Sequence, residues 1–316
     1  MTTGAQTSSA SDGDAAPKSK SPKELQRFWQ KEKEASTKRL RKFKKQGNQI
    51  VKRFLDQREG GTSDDSGKGH GSRLNLFHTN VSTLQSMLYG STPKIEVSRE
   101  HQDPDDDIAR VAALLFQRML EADVATSGAD LATVLKASLQ DRLLPGYGCA
   151  RVKYGVKTET VATLVAGVDG VDVQQIPKVT DEKCKIEYVH WQDQLWGWAR
   201  TWAEVPWLGY RVWMTKEEAT ERFDAKKASQ LDYKNQQPSG DANKDDISDK
   251  DQQNNVQKAE IWEFWCKATK KVYWYSEGLD LILDAVEDPL ELEGFFPSPM
   301  PLVANATTSL FVPRAD

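Results

Sequence analysis

The densest group of chemically capable side chains is a run of cations, six within eight residues. They are Lys38, Arg39, Arg41, Lys42, Lys44 and Lys45. Clustered ammonium and guanidinium groups attract phosphate, because each contact releases counterions from a polyanion. The run therefore predicts contact with a nucleic acid or another anionic partner. A solvated helix face without a partner fits it equally well, whereas an anionic membrane fits poorly because the adjacent apolar stripe is interrupted.

Tryptophan is the second unusual feature, with six residues in a short stretch. They are Trp191, Trp196, Trp198, Trp202, Trp207 and Trp213. Trp196, Trp198 and Trp202 have the same parity, so on one strand they would share a face and could stack bases or sugars. Large rigid aromatics more often form a sheet core or a subunit interface. We expect that second role for most of the group.

Residue patterns typical of catalysis or metal binding are weak. Cys149, Cys184 and Cys266 are far apart, without a CxxC pair, so we expect neither a zinc site nor a disulfide framework. His101 with Asp103 and Asp107 could ligate a metal, but capping of the following helix explains the aspartates better. No GxSxG motif and no metal-binding histidine pair is present. We therefore predict no enzyme, no cofactor and no metal site.

Charge is distributed unevenly along the 316 residues. The net charge is -4, but the window from Lys18 to Glu59 holds 15 Lys or Arg against 5 Asp or Glu. No early apolar run resembles a signal peptide, and no apolar stretch is long enough to span a bilayer. We expect a soluble protein.

Composition and hydrophobic period divide the chain into six segments. These are a disordered tail (1–21), a basic amphipathic helix (22–59), a flexible linker (60–73), a helical part (74–148), a β-rich part (149–275) with a disordered insertion (234–257), and a proline-rich segment (276–316). The pattern predicts an α+β protein in which amino-terminal helices precede a Trp-rich antiparallel sheet or small barrel.

Three helices are predicted in the helical part from apolar residues at helical spacing. Their stripes, which we expect to be buried, are Phe77, Val81, Leu84 and Leu88; Ile108, Val111, Ala112, Leu115 and Met119; and Leu131, Leu135, Leu139 and Leu143. Gly90 and Pro93 end the first of these helices, and alternation at Ile95 and Val97 predicts a strand directly after it.

The β-rich part is predicted from a period of two. Alternation begins at Cys149, and further strands are expected near 160–166, 171–176, 185–191, 195–203 and 208–214. Thr215 and Glu218 have the spacing of a capping box and predict a short helix. A hairpin is expected after the insertion, between residues 258 and 278.

Six blocks of sequence occur in an order that resembles the portal proteins of short-tailed bacteriophages. They are RLNLFHTNVSTLQSMLYGSTPKIEV, DDDIARVAALLFQRML, DRLLPGYGCARVKY, WARTWAEVPWLGYRVWMTKEEATERF, KAEIWEFWCKATKKVYWY and LEGFFPSPMPL. The family-like scaffold positions are Asn75, Phe77, Asn80, Leu88, Tyr89, Gly90, Pro93, Phe295, Phe296, Pro297 and Pro299. The resemblance covers roughly residues 22 to 316.

The resemblance implies a ring, usually of twelve subunits, at one vertex of the icosahedral capsid, through which DNA is packaged and later ejected. The implied partners are identical subunits, terminase, capsid and scaffolding proteins, tail adaptor proteins and double-stranded DNA, with no membrane and no catalytic residues. Localisation would be the virion, and the host cytoplasm during assembly. The chain resembles an amino-terminal portion, chiefly the wing, because such portals continue into long helices. The alternative is a non-enzymatic nucleic-acid-binding module that uses the basic helix and the Trp-rich sheet.

Overall fold

A computed structural model describes residues 20–55, 75–91, 93–99, 106–127, 129–167, 170–235 and 256–314. The predicted linker, nearly all of the predicted tail and insertion, and His101 and Asp103 lie outside these residues. The helices are α1 (Pro22–Phe54), α2 (Leu76–Leu88), α3 (Asp107–Ser127), α4 (Ala129–Leu143), α5 (Lys216–Phe223) and α6 (Ala225–Ala228). The strands are β1 (Tyr147–Gly167), β2 (Gly170–Val189), β3 (Gln194–Trp196), β4 (Trp207–Met214), β5 (Tyr233–Asn235), β6 (Gln257–Cys266), β7 (Lys271–Tyr275), β8 (Asp284–Glu287) and β9 (Leu302–Val303).

The α+β prediction is confirmed, since helices precede antiparallel sheets along the chain. The small barrel is not found, because both sheets formed by the described residues are open. The chain divides into two compact units. Unit 1 comprises Met1–Arg39 and Gln194–Phe295, and unit 2 comprises Leu40–Asp193 and Phe296–Asp316. Helix α1 contributes its first part to unit 1 and its second part to unit 2.

Unit 1 is a sheet with the strand order β3-β4-β6-β7-β8. Strand β5 pairs with residues 257–259 at the start of β6, ahead of the part that pairs with β7. Its core is organised around Trp29 of α1, which is fully buried and stacks on Phe264 with ring centroids 4.7 Å apart. Ile261 faces α5 and α6 within a second apolar cluster. Alternate residues of a strand point to opposite faces, so α1 covers one face of β6 and the two short helices cover the other.

The capping box that starts α5 is confirmed. The Thr215 side chain accepts a hydrogen bond from the Glu218 backbone N–H at 3.3 Å, and the Thr215 N–H donates to the Glu218 carboxylate at 2.8 Å. The predicted hairpin is confirmed as well, because β6 and β7 pair directly on either side of a short turn. Local sequence chemistry therefore determines these two elements.

Unit 2 is built on the antiparallel ribbon of β1 and β2, with α4 packed on its base. The backbones of α4 and β1 approach each other closely at Gly148, where an added Cβ would lie 1.8 Å from the Ser138 carbonyl oxygen. A side chain at this position would force α4 away from β1. Gly47 lies within α1, and a Cβ there would lie 2.8 Å from the Trp191 ring. Close packing against Trp191 is the physical reason for that glycine.

Three features of unit 2 differ from the sequence-based expectations. The segment around Ile95 and Val97 is not a strand, because residues 93–99 pair with no strand among the described residues. The stripes of α2 and α3 are largely exposed; in α2 only Val81 is buried. The two strands expected between 160 and 176 are the distal parts of β1 and β2, which pair up to Gly167 and Gly170.

Candidate interaction surfaces

The six clustered cations of α1 separate into two groups. Arg39 and Lys44 are half-buried and donate to backbone carbonyls: Arg39 Nη2 to the Trp196 oxygen at 2.5 Å, and Lys44 Nζ to the Gln192 oxygen at 2.7 Å. Burial also lowers the pKa of the Arg39 guanidinium. These two side chains satisfy carbonyl groups within their own units and are not available to a partner.

The other four cations form an exposed basic face. They are Lys38, Arg41, Lys42 and Lys45. Their spacing of i, i+3, i+4 and i+7 places them along one side of the helix. The opposite side is apolar and buried through Leu40 and Phe43, and the Phe43 ring lies 5.7 Å from that of Trp191. The sequence predicted all six as contact residues, whereas the structure leaves only this basic face open.

The six clustered tryptophans do not form a stacking surface. Trp191, Trp196 and Trp207 are buried, whereas Trp202 and Trp213 are half-buried. Trp198, at 57% relative exposure, is the most open of the six. Strand β3 ends at Trp196, so the shared face expected for residues 196, 198 and 202 is wrong. Trp207 packs edge-on against Trp29 at 5.7 Å and donates its Nε1–H to Glu32 at 2.8 Å.

Helix α2 presents an uncovered apolar surface. Its exposed apolar side chains are Leu76, Phe77, Leu84, Met87 and Leu88. Only Val81 is buried, in a cluster with Phe54 and Leu144. An apolar stripe at helical spacing normally faces the core of its own chain. Here most of it faces outward, so the stripe is available to another molecule.

Helix α3 is more exposed than α2. Its exposed apolar side chains are Ile108, Val111, Leu114, Leu115, Phe116, Met119 and Leu120. Ile108 retains 85% of its accessible surface. At the start of the helix the Asp106 carboxylate accepts from the Ala109 N–H at 2.9 Å, and Asp107 pairs with Arg110 at 3.0 Å. The helix is therefore well capped, yet its apolar face has no cover within the described residues.

The β1–β2 ribbon continues this pattern. Val152, Tyr154 and Val156 lie on one face and pair with Ile186, Cys184 and Glu182 respectively. Tyr154, Val156 and Ile186 are exposed. The opposite face is charged, with Arg151 and Lys153 bridging to Glu187 at 3.2 and 3.5 Å. The alternation predicted from Cys149 is correct, but the apolar side is uncovered.

A buried acid lies at the end of α4. The Asp141 carboxyl group is hydrogen-bonded to the Tyr188 hydroxyl. Burial raises the pKa of Asp141 from 3.8 to about 7, although hydrogen bonds from Tyr188 and the Trp191 backbone oppose the shift. Burial also raises the pKa of Tyr188. No sequence pattern indicates this pair, because its members lie on different elements far apart in the chain.

Several of the family-like positions have defined structural roles. Asn75 is the N-cap of α2: its side chain accepts from the His78 N–H at 3.1 Å and donates to the Phe54 carbonyl at 3.1 Å. One side chain therefore joins the end of α1 to the start of α2. Within unit 1, Phe295 is buried against Trp265 at 5.5 Å with φ of 63°. Within unit 2, the Pro297 carbonyl accepts from the Val152 N–H at 2.8 Å.

The remaining family-like positions are placed as follows. Phe77 and Leu88 belong to the exposed side of α2, and Asn80 is exposed on the same helix. Tyr89 is the C-cap of α2, and its N–H donates to the Gln85 carbonyl at 2.9 Å. Gly90 and Pro93 are exposed beyond the helix, Phe296 is buried, and Pro299 lies in the non-helical carboxy-terminal segment.

Metal-binding groups form no cluster in the part of the chain that the structure describes. Among these residues, no three His, Cys, Asp or Glu side chains are placed to hold one ion. Cys149 and Cys266 are buried, Cys184 is exposed, and all three are free thiols. The His78 ring stacks on Phe54 at 4.6 Å.

No protein-family model matches the chain, and no curated protein matches it significantly. None of the described helices combines the length and apolar character needed to cross a membrane.

Proposed function

We propose that this chain is a subunit of a bacteriophage portal ring. Such a ring occupies one capsid vertex, conducts the DNA genome during packaging and ejection, and provides a docking platform for terminase and tail proteins. The six ordered sequence blocks support the assignment. The structural roles of Asn75, Phe295 and Pro297 support it further, because these residues organise turns and helix junctions rather than a reaction centre.

The observation that carries the proposal is the uncovered apolar surface of unit 2. Among the described residues, twelve large apolar side chains of α2 and α3 are exposed. The largest single patch on a typical monomer is roughly 300–600 Å², and the summed area of these twelve side chains over the two helices, if each is about half open, is on the order of 1,000 Å². It is close to the roughly 800 Å² that each partner contributes to a standard interface. A subunit completed by identical neighbours would cover this surface.

The β1–β2 ribbon supports the same proposal. Its two strands of 21 and 20 residues extend for roughly 65 Å. Strand β9 pairs only with Tyr147 and Gly148, and the described residues supply no further strand along the ribbon. An isolated two-stranded ribbon is marginally stable in water. Contact with a neighbouring subunit would stabilise it and cover its apolar face.

The proposed partners are further copies of this chain, terminase, capsid and scaffolding proteins, tail adaptors and the passing DNA. The proposed location is the virion, with assembly in the host cytoplasm. The competing function, a monomeric nucleic-acid-binding module, keeps the support of the basic face. Its predicted stacking surface of Trp196, Trp198 and Trp202 is not supported, because Trp196 is buried and β3 ends at that residue, so the three rings share no strand face.

Negative-stain electron microscopy with mass photometry tests the proposal on the protein made from its complete reading frame. We expect annular particles containing about twelve subunits. Monodisperse monomers at micromolar concentration that also bind DNA would overturn the portal proposal and favour the binding module.

A further inference from the structure

We propose that the basic face of α1, formed by Lys38, Arg41, Lys42 and Lys45, binds the phosphate backbone of double-stranded DNA without reading its sequence. The choice of DNA as the partner rests on the proposed function. The location and chemistry of the site rest on the geometry of the helix.

Among the described residues, no acidic side chain neutralises the charges of the basic face. None of its four members forms an ion pair with any residue that the structure describes. From Ala35 to Phe54 helix α1 contains no acidic residue. Like charges at spacings of three and four residues repel each other on a helix. An external anion would remove this repulsion, so the face is suited to a polyanionic partner.

The geometry of the face suits successive phosphates. Seven residues separate Lys38 from Lys45, which corresponds to roughly 10 Å along a helix. Phosphates follow one another every 3.4 Å of axis on one DNA strand, so the face can meet about three of them. The Arg41 guanidinium can bind a phosphate with two parallel hydrogen bonds, and the lysines can act as point charges.

The buried side of α1 distinguishes DNA from a membrane. Binding in a lipid interface requires an apolar helix face that is free to insert. The corresponding side of α1 is occupied, because Leu40 and Phe43 are buried and a Cβ on Gly47 would contact the Trp191 ring. The same packing holds the backbone beneath the cations in place, which reduces the ordering cost of binding.

The test measures binding of the full chain to a 30-base-pair duplex by fluorescence anisotropy between 50 and 200 mM salt. The variant replaces all four cations by glutamine, which has a similar helix propensity: Lys38→Gln, Arg41→Gln, Lys42→Gln and Lys45→Gln. We expect at least a tenfold loss of affinity at 50 mM salt. The slope of log K against log salt concentration should fall in magnitude by about 3, because each of about three phosphate contacts contributes about 0.9.

A matched control removes the same net charge elsewhere on the chain. It combines four exposed lysines outside the basic face: Lys23→Gln, Lys31→Gln, Lys216→Gln and Lys226→Gln. This variant should retain most of the affinity and the slope of the unmodified chain. Equal losses in the two variants would overturn the proposal, because net charge alone would then explain binding. Absence of binding by the unmodified chain at 50 mM salt would overturn it too.

Two competitors test the identity of the partner. If polyglutamate displaces the duplex at equal charge concentration, the partner is an acidic protein and the DNA assignment is overturned. If vesicles containing phosphatidylserine displace it, the partner is a lipid surface and the assignment is likewise overturned.

Mass photometry on the same samples separates this inference from the proposed function. A variant that assembles normally but loses DNA supports the inference, whereas a failure of the unmodified chain to assemble bears on the portal proposal alone.

Discussion

At the scale of single residues, Asp141 couples the stability of unit 2 to pH. Its pKa is raised by burial to about 7 in the folded chain, against 3.8 for a free carboxyl group. Between these two values the unfolded chain has released the proton while the folded chain still holds it. The free energy of unfolding therefore decreases as pH rises through this window, and the contribution of Asp141 is constant above about pH 7.

We predict that Asp141→Asn removes this pH dependence. The Asn variant and the unmodified chain should have similar stability near pH 4, and the variant should gain up to roughly 4 kcal/mol relative to the unmodified chain by pH 8. Hydrogen exchange of β1 and β2 peptides in urea measures the effect within unit 2. The exposed Glu159 supplies the control, since Glu159→Gln should leave the pH profile unchanged. A constant difference between pH 4 and pH 8 would contradict the prediction.

Trp29 is the residue whose loss should most weaken unit 1. Its ring is fully buried, stacks on Phe264 at 4.7 Å and contacts Tyr273 at 5.3 Å. We predict that Trp29→Ala lowers the free energy of unfolding by about 3–5 kcal/mol, because it removes a large apolar side chain and leaves a cavity. The exposed Trp198 provides a same-residue control, and Trp198→Ala should cost less than about 0.5 kcal/mol.

Hydrogen exchange of peptides from β6 and β7 gives the measurement for Trp29. These strands carry Phe264 and Tyr273 and should lose protection in the Trp29 variant. Equal protection in the Trp29 and Trp198 variants would show that α1 does not stabilise the sheet.

At the scale of elements, α3 provides a direct test of assembly. Met119 on α3 retains 67% of its accessible surface and Met300 retains 64%. We predict that Met119→Glu prevents assembly, because it would place a charge in an apolar interface. Met300→Glu makes the same change at a similarly exposed position and should assemble normally. Mass photometry gives the particle mass, and circular dichroism should show unchanged secondary structure in both variants.

Two outcomes would contradict the role of α3 in assembly. Normal particles from the Met119 variant would place the interface elsewhere. Equal disruption by the Met300 variant would mean that an added charge acts through the net charge of the chain rather than through the helix face.

The sequence predicted elements well where their signals are local. The capping box at Thr215, the hairpin of β6 and β7 and the alternation after Cys149 are each determined by neighbouring residues. The full length of the β1–β2 ribbon was not predicted, because its register depends on pairing between distant residues. The strand at Ile95 was wrong because alternation alone does not supply a partner strand.

The covering of a helix face is a further property that periodicity does not determine. The stripes of α2 and α3 correctly predicted helices, but a stripe does not distinguish its own core from another subunit. The basic face shows the same limit of sequence reasoning, because charge clustering identified six candidate contact residues without showing which of them are exposed. Only the packing revealed that Arg39 and Lys44 donate to carbonyl groups of their own units.

At the scale of the whole molecule, the chain is not two consecutive domains. The chain passes from one unit to the other at three points: between Arg39 and Leu40, between Asp193 and Gln194, and between Phe295 and Phe296. Each unit is therefore assembled from two separate segments. A single cut at any of these three points divides at least one unit, so neither unit can be produced complete and on its own by cutting the gene once.

Because unit 1 is built from two separate segments, its two parts are synthesised at different times. The first part of α1, with Trp29, leaves the ribosome long before the strands that bury it, which begin at Gln194 and extend to Glu287. At about 5–20 residues per second, the interval between Arg39 and Trp207 lasts roughly 10 to 30 seconds. During synthesis the apolar side of this helix remains open to chaperones and to nascent copies of itself. The order of translation therefore delays completion of the core of unit 1.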